Sequence, residues 1–226
     1  MFMKKKTKAV SAFLCAILVV AIVKIPHANA EVVDFNDVSE DSWYWNYSQT
    51  SYKYGLFNGT APNTFSPNNA IHRADFVTAL GRLYELSESE LIEDDLPNRF
   101  DDVDTGTYYS KYINWAADMG IVSGYGNNKF GPYDYTTRQE MAKILYNYII
   151  LTDSELNAEP GSVMEFADLE SISSWAGEAV SYLQKYSIVQ GSKGNFYPTH
   201  PITRAEAAAV YVRLCDLINP DINTLA

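Results

Sequence analysis

Ile202-Thr203-Arg204-Ala205-Glu206 closes a pattern that runs three times through the 226 residues of this chain. Two earlier stretches answer it, His72-Arg73-Ala74-Asp75 and Thr137-Arg138-Gln139-Glu140. Each lies downstream of a Phe-x-Asp motif: Phe35-Asn36-Asp37, Phe100-Asp101-Asp102 and Phe166-Ala167-Asp168. From that Phe to the Arg is 38 residues in all three cases, and the period is 65, then 66. Between the two ends, Leu56-Phe57-Asn58-Gly59 matches Ile121-Val122-Ser123-Gly124 and Ile188-Val189-Gln190-Gly191. Phe65-Ser66-Pro67 matches Phe130-Gly131-Pro132 and Phe196-Tyr197-Pro198. Sixteen residues before each glycine stand Trp43, Tyr108 and Trp175. Agreement at so many positions with a fixed period marks three copies of one structural unit.

Each unit reads as helix–loop–helix. The first helix is expected from Trp43, Tyr108 or Trp175 to the following glycine, with Gly59, Gly124 and Gly191 ending it at positive φ. The segment from there to Phe-x-Pro is rich in Gly, Asn and Pro, hence loop. The second helix opens at the Arg, and Thr137-x-x-Glu140 and Thr203-x-x-Glu206 have the form of capping boxes. From each Arg, positions +3, +4, +7 and +10 form one apolar stripe: Phe76, Val77, Leu80, Leu83; Met141, Ala142, Leu145, Tyr148; Ala207, Ala208, Tyr211, Leu214. A two-helix unit cannot bury such a face alone. The expected fold is therefore mainly α: three helix–loop–helix repeats around a pseudo-threefold axis, the second helices forming a central three-helix bundle and the rest projecting as lobes. A linear solenoid is the rival, but three copies without distinct capping repeats favour closure.

Residues 1–30 read as a secretory signal: a basic start at Lys4-Lys5-Lys6 and Lys8, an apolar run from Ala9 to Val23, and Ala28-Asn29-Ala30 as a cleavage site. A retained anchor is the alternative, but the run is short for a membrane span of about 20 residues. The repeats then divide as 31–86, 87–151 and 152–226, the last with a short tail, and the connectors Ser87–Arg99 and Thr152–Glu165 are acidic and polar. The chain carries 17 Lys and Arg against 28 Asp and Glu. Five of those cations lie in the leader, so twelve remain against 28 acids, a net charge of −16. A body that acidic argues against nucleic acid or an anionic membrane as partner. Cys215 alone remains after the leader is removed, so no internal disulfide can form. It sits at +11 from Arg204, which makes it a buried thiol rather than an intermolecular bridge.

These motifs resemble the S-layer homology domain family, whose repeat carries F-x-D-V, a Trp near the first helix, G-I-I-x-G, F-x-P and I-T-R-A-E. Copy three has Ile202-Thr203-Arg204-Ala205-Glu206 in full, copy two departs mildly, and copy one has His72 where Thr is usual. The resemblance spans residues 35 to about 217. It implies a three-lobed helical domain that holds exported proteins non-covalently to a secondary cell-wall polysaccharide bearing pyruvate ketals on amino sugars. By the same resemblance the sugar lies in grooves between lobes, with Arg73, Arg138 and Arg204 as principal contacts.

Physical chemistry offers a rationale. A helix N-terminus presents unpaired N–H groups and positive dipole. An Arg in the first turn adds a planar fork for a carboxylate. Each such charge-assisted bond is worth about 1.5–3 kcal/mol. Thr137 and Thr203 flank that site; Trp43 and Trp175, with Tyr108 a weaker substitute, offer a face to a sugar ring; and Gly59, Gly124 and Gly191 permit close approach. Plainer readings stand beside these. The arginines could be structural ion pairs, the tryptophans core anchors, and Asp37, Asp102 and Asp168 turn or capping residues rather than ligand contacts. Trp45 and Trp115 read as packing. His72 caps a helix less well than Thr, which makes its site weaker or pH-sensitive. The histidines are scattered, and neither Asp101–Asp104 nor Glu93-Asp94-Asp95 has the spacing of a calcium loop.

Gly-x-Ser-x-Gly, a Walker loop and a zinc motif are all missing from the sequence. The expectation is a secreted, non-catalytic carbohydrate-binding module of the cell wall, with no cofactor or metal. The repeats take up nearly all of the mature chain, so its use includes recruiting another surface protein, competing for wall sites or coating the wall. The rival function is a structural protein–protein module that ignores glycans.

Overall fold

The computed structural model describes residues 33–152 and 165–219. The signal segment, the start at Glu31, most of the second connector and the tail lie outside the described residues. The described chain is mainly helical: α1 (Trp45–Lys53), α2 (Arg73–Glu88), α3 (Ser110–Asp118), α4 (Arg138–Thr152), α5 (Gly177–Lys185) and α6 (Arg204–Ile218), with one 3₁₀ turn at Leu169–Ser171. The short helices α1, α3 and α5 are the first helices of the copies, and the long ones are the second.

The long helices start where the Arg motif places them. Their apolar stripes are sealed, every one of the twelve stripe residues being 0–1% exposed. Burial of each large side chain there stabilises the fold by about 1.5–3 kcal/mol. The Tyr211 hydroxyl donates to the Phe76 carbonyl at 2.6 Å, tying α6 to α2 inside the core. Cys215 is buried too, and burial pushes its thiol up to about 12. Trp115 is buried and Trp45 packs on the core, in keeping with their reading as packing residues.

The short helices correct the sequence reading. They begin two residues after Trp43, Tyr108 and Trp175, and they stop well before Gly59, Gly124 and Gly191. Their ends are Schellman motifs. In copy one, Leu56 N–H donates to Ser51 O and Gly55 N–H to Tyr52 O, with Gly55 at φ +69°. Copy two repeats this at Gly120 (φ +74°) and copy three at Ser187 (φ +59°). The buried Leu56, Ile121 and Ile188 that follow lock each helix end onto the core. Gly59 and Gly124 do not have positive φ, although Gly191 does. What all three share is lack of room: a Cβ there would run into the carbonyl oxygen of Thr64, Lys129 or Asn195.

Helix pairing crosses from copy to copy. α2 packs on α3, α4 on α5, and α6 on α1, so each long helix leans on the short helix of the next copy and the last returns to the first. A linear stack would leave α1 and α6 apart, so the ring is closed. Main-chain hydrogen bonds close it a second time. Thr136 N–H donates to Ile71 O at 3.0 Å, Ile202 N–H to Thr136 O at 2.8 Å, and Ile71 N–H to Ile202 O at 3.0 Å. Three donors and three acceptors are satisfied in a triangle just ahead of the three long helices.

Candidate functional site

The first turn of each long helix is docked into the Phe-x-Pro loop of the next copy. Arg73 N–H donates to Asp134 O and Ala74 N–H to Pro132 O. Arg138 and Gln139 bond His200 O and Pro198 O, and Arg204 and Ala205 bond Asn69 O and Pro67 O, all at 2.8–3.0 Å. The expectation of open N–H groups at these helix starts is therefore corrected: a neighbouring loop has taken them. Docking also fixes the arginine side chains. The Nε of Arg73, Arg138 and Arg204 donates to the carbonyl of Phe130, Phe196 and Phe65 respectively. The guanidinium groups lie over those same phenylalanine rings, 4.8–5.3 Å from the centroids.

The Phe-x-Asp aspartates brace the same loops from within their own copies. Both oxygens of Asp37 accept from Phe65 and Ser66 N–H, those of Asp102 from Phe130 and Gly131, and those of Asp168 from Phe196 and Tyr197, at 2.7–2.9 Å. Burial pushes the Asp102 carboxyl up, but the two N–H donors outweigh it and hold the group below its ordinary value. Asp37, Asp102 and Asp168 are loop clamps, which corrects their place among candidate ligand contacts.

Three grooves follow from this docking, and each is built by three different copies. One groove, of about 330 Å³, joins Arg73 of copy one, Gly124 and Glu140 of copy two, and Trp175 of copy three. A second, of about 410 Å³, joins Arg138, then Gly191, Thr203 and Glu206, then Trp43. The third, of about 490 Å³, joins Arg204, then Gly59 and Asp75, then Tyr108. The sequence candidates Arg, Gly and Trp or Tyr thus converge, but never within one copy. Trp43, Trp175 and Tyr108 are 58%, 49% and 60% exposed, which makes them groove walls rather than core anchors. The arginines are recessed at 4–9% exposure yet still line the grooves.

The grooves differ in charge. Glu140 Oε2 accepts from Thr137 N–H at 2.8 Å, and its Oε1 pairs with Arg73 at 3.3 Å. Glu206 caps Thr203 in the same way and pairs with Arg138 at 2.7 Å. Burial raises the Glu140 carboxyl, but bonds from Thr137 and Tyr125 and the charge of Arg73 outweigh it and leave it lowered. In copy one the capping box is lost. His72 makes no side-chain cap, and Asp75, one methylene shorter than Glu, accepts instead from the Tyr108 hydroxyl. Arg204 has no carboxylate within ion-pairing distance among the described residues; beyond Phe65, its Nη2 holds only the Asn58 carbonyl at 2.8 Å. Burial lowers the Arg138 and Arg204 side chains, yet a guanidinium stays protonated at any ordinary pH. Tyr125 adds a further contrast. Its ring covers the Arg73 guanidinium at 4.5 Å, and its hydroxyl bonds Glu140, a lid the other two grooves lack because Thr60 and Ser192 stand there.

Sequence reasoning missed a second cation in each groove: Lys143 beside Arg73, Arg213 beside Arg138, and Arg82 beside Arg204. Arg82 and Arg213 both stand nine residues after the motif Arg, with Asn147 there in copy two. All three reach back to the carbonyl after the short helix, Leu56, Ile188 or Ile121, at 2.9–3.2 Å. That recurrence at +9 was the available signal.

A model of the S-layer homology domain matches residues 34–77, 99–142 and 165–208. The chain belongs to the S-layer homology domain family. The three matches begin at the Phe-x-Asp clamps and end within the long helices, the segments that build the grooves. Among curated relatives, an endoglucanase of Bacillus sp. (strain KSM-635) is 30% identical over 91% of this chain and 22% of its own length. The surface-layer 125 kDa protein of Lysinibacillus sphaericus is 31% identical over 90% and 16%, and the S-layer protein sap of Bacillus anthracis 27% over 89% and 23%. The chain spans less than a quarter of each of these relatives, so the shared part is the S-layer homology region and not the remainder of the enzyme. It is a cell-surface anchoring module of the S-layer type. Among the described residues no helix is long and apolar enough to cross a membrane, and no cluster of three or more metal-ligating side chains occurs.

Proposed function

We propose that the chain docks on the bacterial cell wall by gripping ionised ketal carboxylates of a secondary cell-wall polysaccharide in its three grooves, without catalysis. The observation that carries this reading is the threefold convergence of Arg, Gly and an exposed aromatic side chain, each supplied by a different copy. Because the first-turn N–H groups are occupied, the carboxylate is met by side chains: the free edge of the motif Arg and the second cation beside it. Trp175, Trp43 or Tyr108 packs against the apolar face of the sugar ring, and the bare Gly124, Gly191 or Gly59 lets that ring approach.

The net charge of the protein opposes an anionic polymer at long range, but that repulsion is screened beyond about 8–10 Å at physiological salt. Moderate salt is expected to leave affinity unchanged or to raise it; a steep fall would point to diffuse polyelectrolyte binding instead. The direct test is calorimetric titration with pyruvylated and non-pyruvylated wall fragments, paired with sedimentation on purified walls before and after removal of the polysaccharide. Binding confined to pyruvylated fragments and intact walls supports the reading. Undiminished retention on stripped walls overturns it in favour of a protein–protein module.

A further inference from the structure

The Arg204 groove continues onto a strip of aromatic rings that the other two grooves lack. Tyr108, on the groove wall, has its centroid 5.1 Å from Tyr109, which meets Tyr133 at 6.2 Å; Tyr133 meets His72 at 6.4 Å, and His72 stacks on Tyr135 at 5.0 Å and 9°. Tyr108, Tyr133 and Tyr135 are 60%, 67% and 53% exposed. The equivalent positions at the Arg138 and Arg73 grooves hold Asn68, Ala70 and Thr203, or Thr199, Pro201 and Thr137, so those seams carry no such run. The strip is also held in shape: the Tyr109 and Tyr133 hydroxyls are bonded at 2.9 Å, and the Tyr108 hydroxyl is fixed by Asp75.

We propose that this strip is an extended subsite for the neutral sugar residue adjoining an acidic one held at Arg204, an inference that rests on the groove reading above. Continuity argues for a single occupant, since Tyr108 belongs to both the groove and the strip. Chemistry argues for a neutral sugar. Beyond Asp75 and His72 at the groove end, the exposed surface of the strip is ring face and phenol, which suits the C–H face of a pyranose and gives a second carboxylate no cationic partner. The groove is suited to the acidic residue because Arg204 and Arg82 face one carboxylate, Asp75, which is itself turned to Tyr108. The ligand preferred at this seam is therefore longer than one sugar: an anionic residue followed by a neutral hexosamine.

Calorimetry on the full chain separates this from the groove reading. The probes are a pyruvylated N-acetylhexosamine methyl glycoside and a wall oligosaccharide in which that residue is followed by neutral amino sugars. The unmodified protein is expected to bind the oligosaccharide about tenfold more tightly than the single residue. Tyr133→Ala with Tyr135→Ala should erase that gain and leave the single-residue affinity in place. Tyr133→Phe, which keeps the ring, should retain the gain. Equal affinity of the unmodified protein for both probes, or a gain that survives the double substitution in a protein of unchanged melting temperature, overturns the subsite and leaves the groove reading standing. A strip whose only measurable loss on substitution is self-association of the chain also overturns it. If neither probe binds the unmodified protein, the groove reading and this inference fall together.

Discussion

At the start of α6, one oxygen of Glu206 caps the helix through Thr203 while the other holds Arg138 at 2.7 Å. At the start of α2, the same place in another copy, Asp75 does neither: His72 provides no cap, and Arg204 is left to main-chain carbonyls. One methylene and one N-cap residue separate the two sites. The comparison shows that the acid three residues into the long helix links two properties that look independent, the stability of its own helix and the charge of a groove lined by the arginine of another copy. Where that acid is Glu, the helix is capped and the groove is close to neutral. Where it is Asp, the helix loses its cap and the groove keeps a net positive charge.

The largest effect expected from breaking this contrast is at the arginines themselves. Arg138→Ala leaves both the Phe196 carbonyl and Glu206 without a partner and should cost about 3 kcal/mol in urea denaturation, against about 2 kcal/mol for Arg204→Ala. Binding of a pyruvylated probe should rank the other way, with Arg204→Ala losing about tenfold and Arg138→Ala about threefold. Equal binding losses would erase the distinction between the grooves. Next in size is Glu140→Gln, expected to cost about 1–2 kcal/mol near neutral pH by weakening both the cap and the Arg73 pair. Because the Glu140 carboxyl is held below its ordinary value, its contribution is complete above the unfolded carboxylate range and is lost as pH falls through the lowered folded value. The gap between Glu140→Gln and the unmodified protein should therefore close in acid; a gap independent of pH would assign the loss to shape rather than charge.

Grafting the α6 arrangement onto α2, by His72→Thr with Asp75→Glu, should raise stability by about 1 kcal/mol and Tm by about 2–4 °C. The same graft should weaken probe binding at Arg204, because that guanidinium gains a carboxylate. The smallest effect belongs to the helix ends. Ser187→Gly, which gives copy three the residue that copies one and two place at positive φ, should stabilise by about 0.5–1 kcal/mol without touching affinity. A loss of stability there would refute the equivalence of the three Schellman turns.

Much of this was legible in the sequence, and the exceptions share a cause. The 38-residue spacing, the capping boxes and the apolar stripes are local or periodic, so Arg73, Arg138 and Arg204 could be placed at helix starts and Leu80 or Leu145 in the core before any coordinates existed. Which copy meets which is a long-range matter. That Arg73 would find Gly124 and Trp175, residues of two other copies, has no signature in periodicity. The open helix N-termini were misjudged for the same reason, since the carbonyls that fill them come from another copy. The short helices were drawn too long because each unit carries two turn signals, and the sequence does not say which of Gly55 and Gly59 ends the helix. The aspartates lay closer to hand: an Asp two residues after a Phe, repeated with a fixed offset to Phe-x-Pro, marks a clamp between those two segments, and both ends of the clamp were visible.

The triangle of main-chain bonds among Ile71, Thr136 and Ile202 makes the unit indivisible. Excising any one copy would strand a donor, an acceptor and a short helix at once, and would dismantle all three grooves, since each borrows from every copy. Modules of this design can be gained or lost during evolution only as complete trios, and a half-built one would have neither a core nor a place for a ligand.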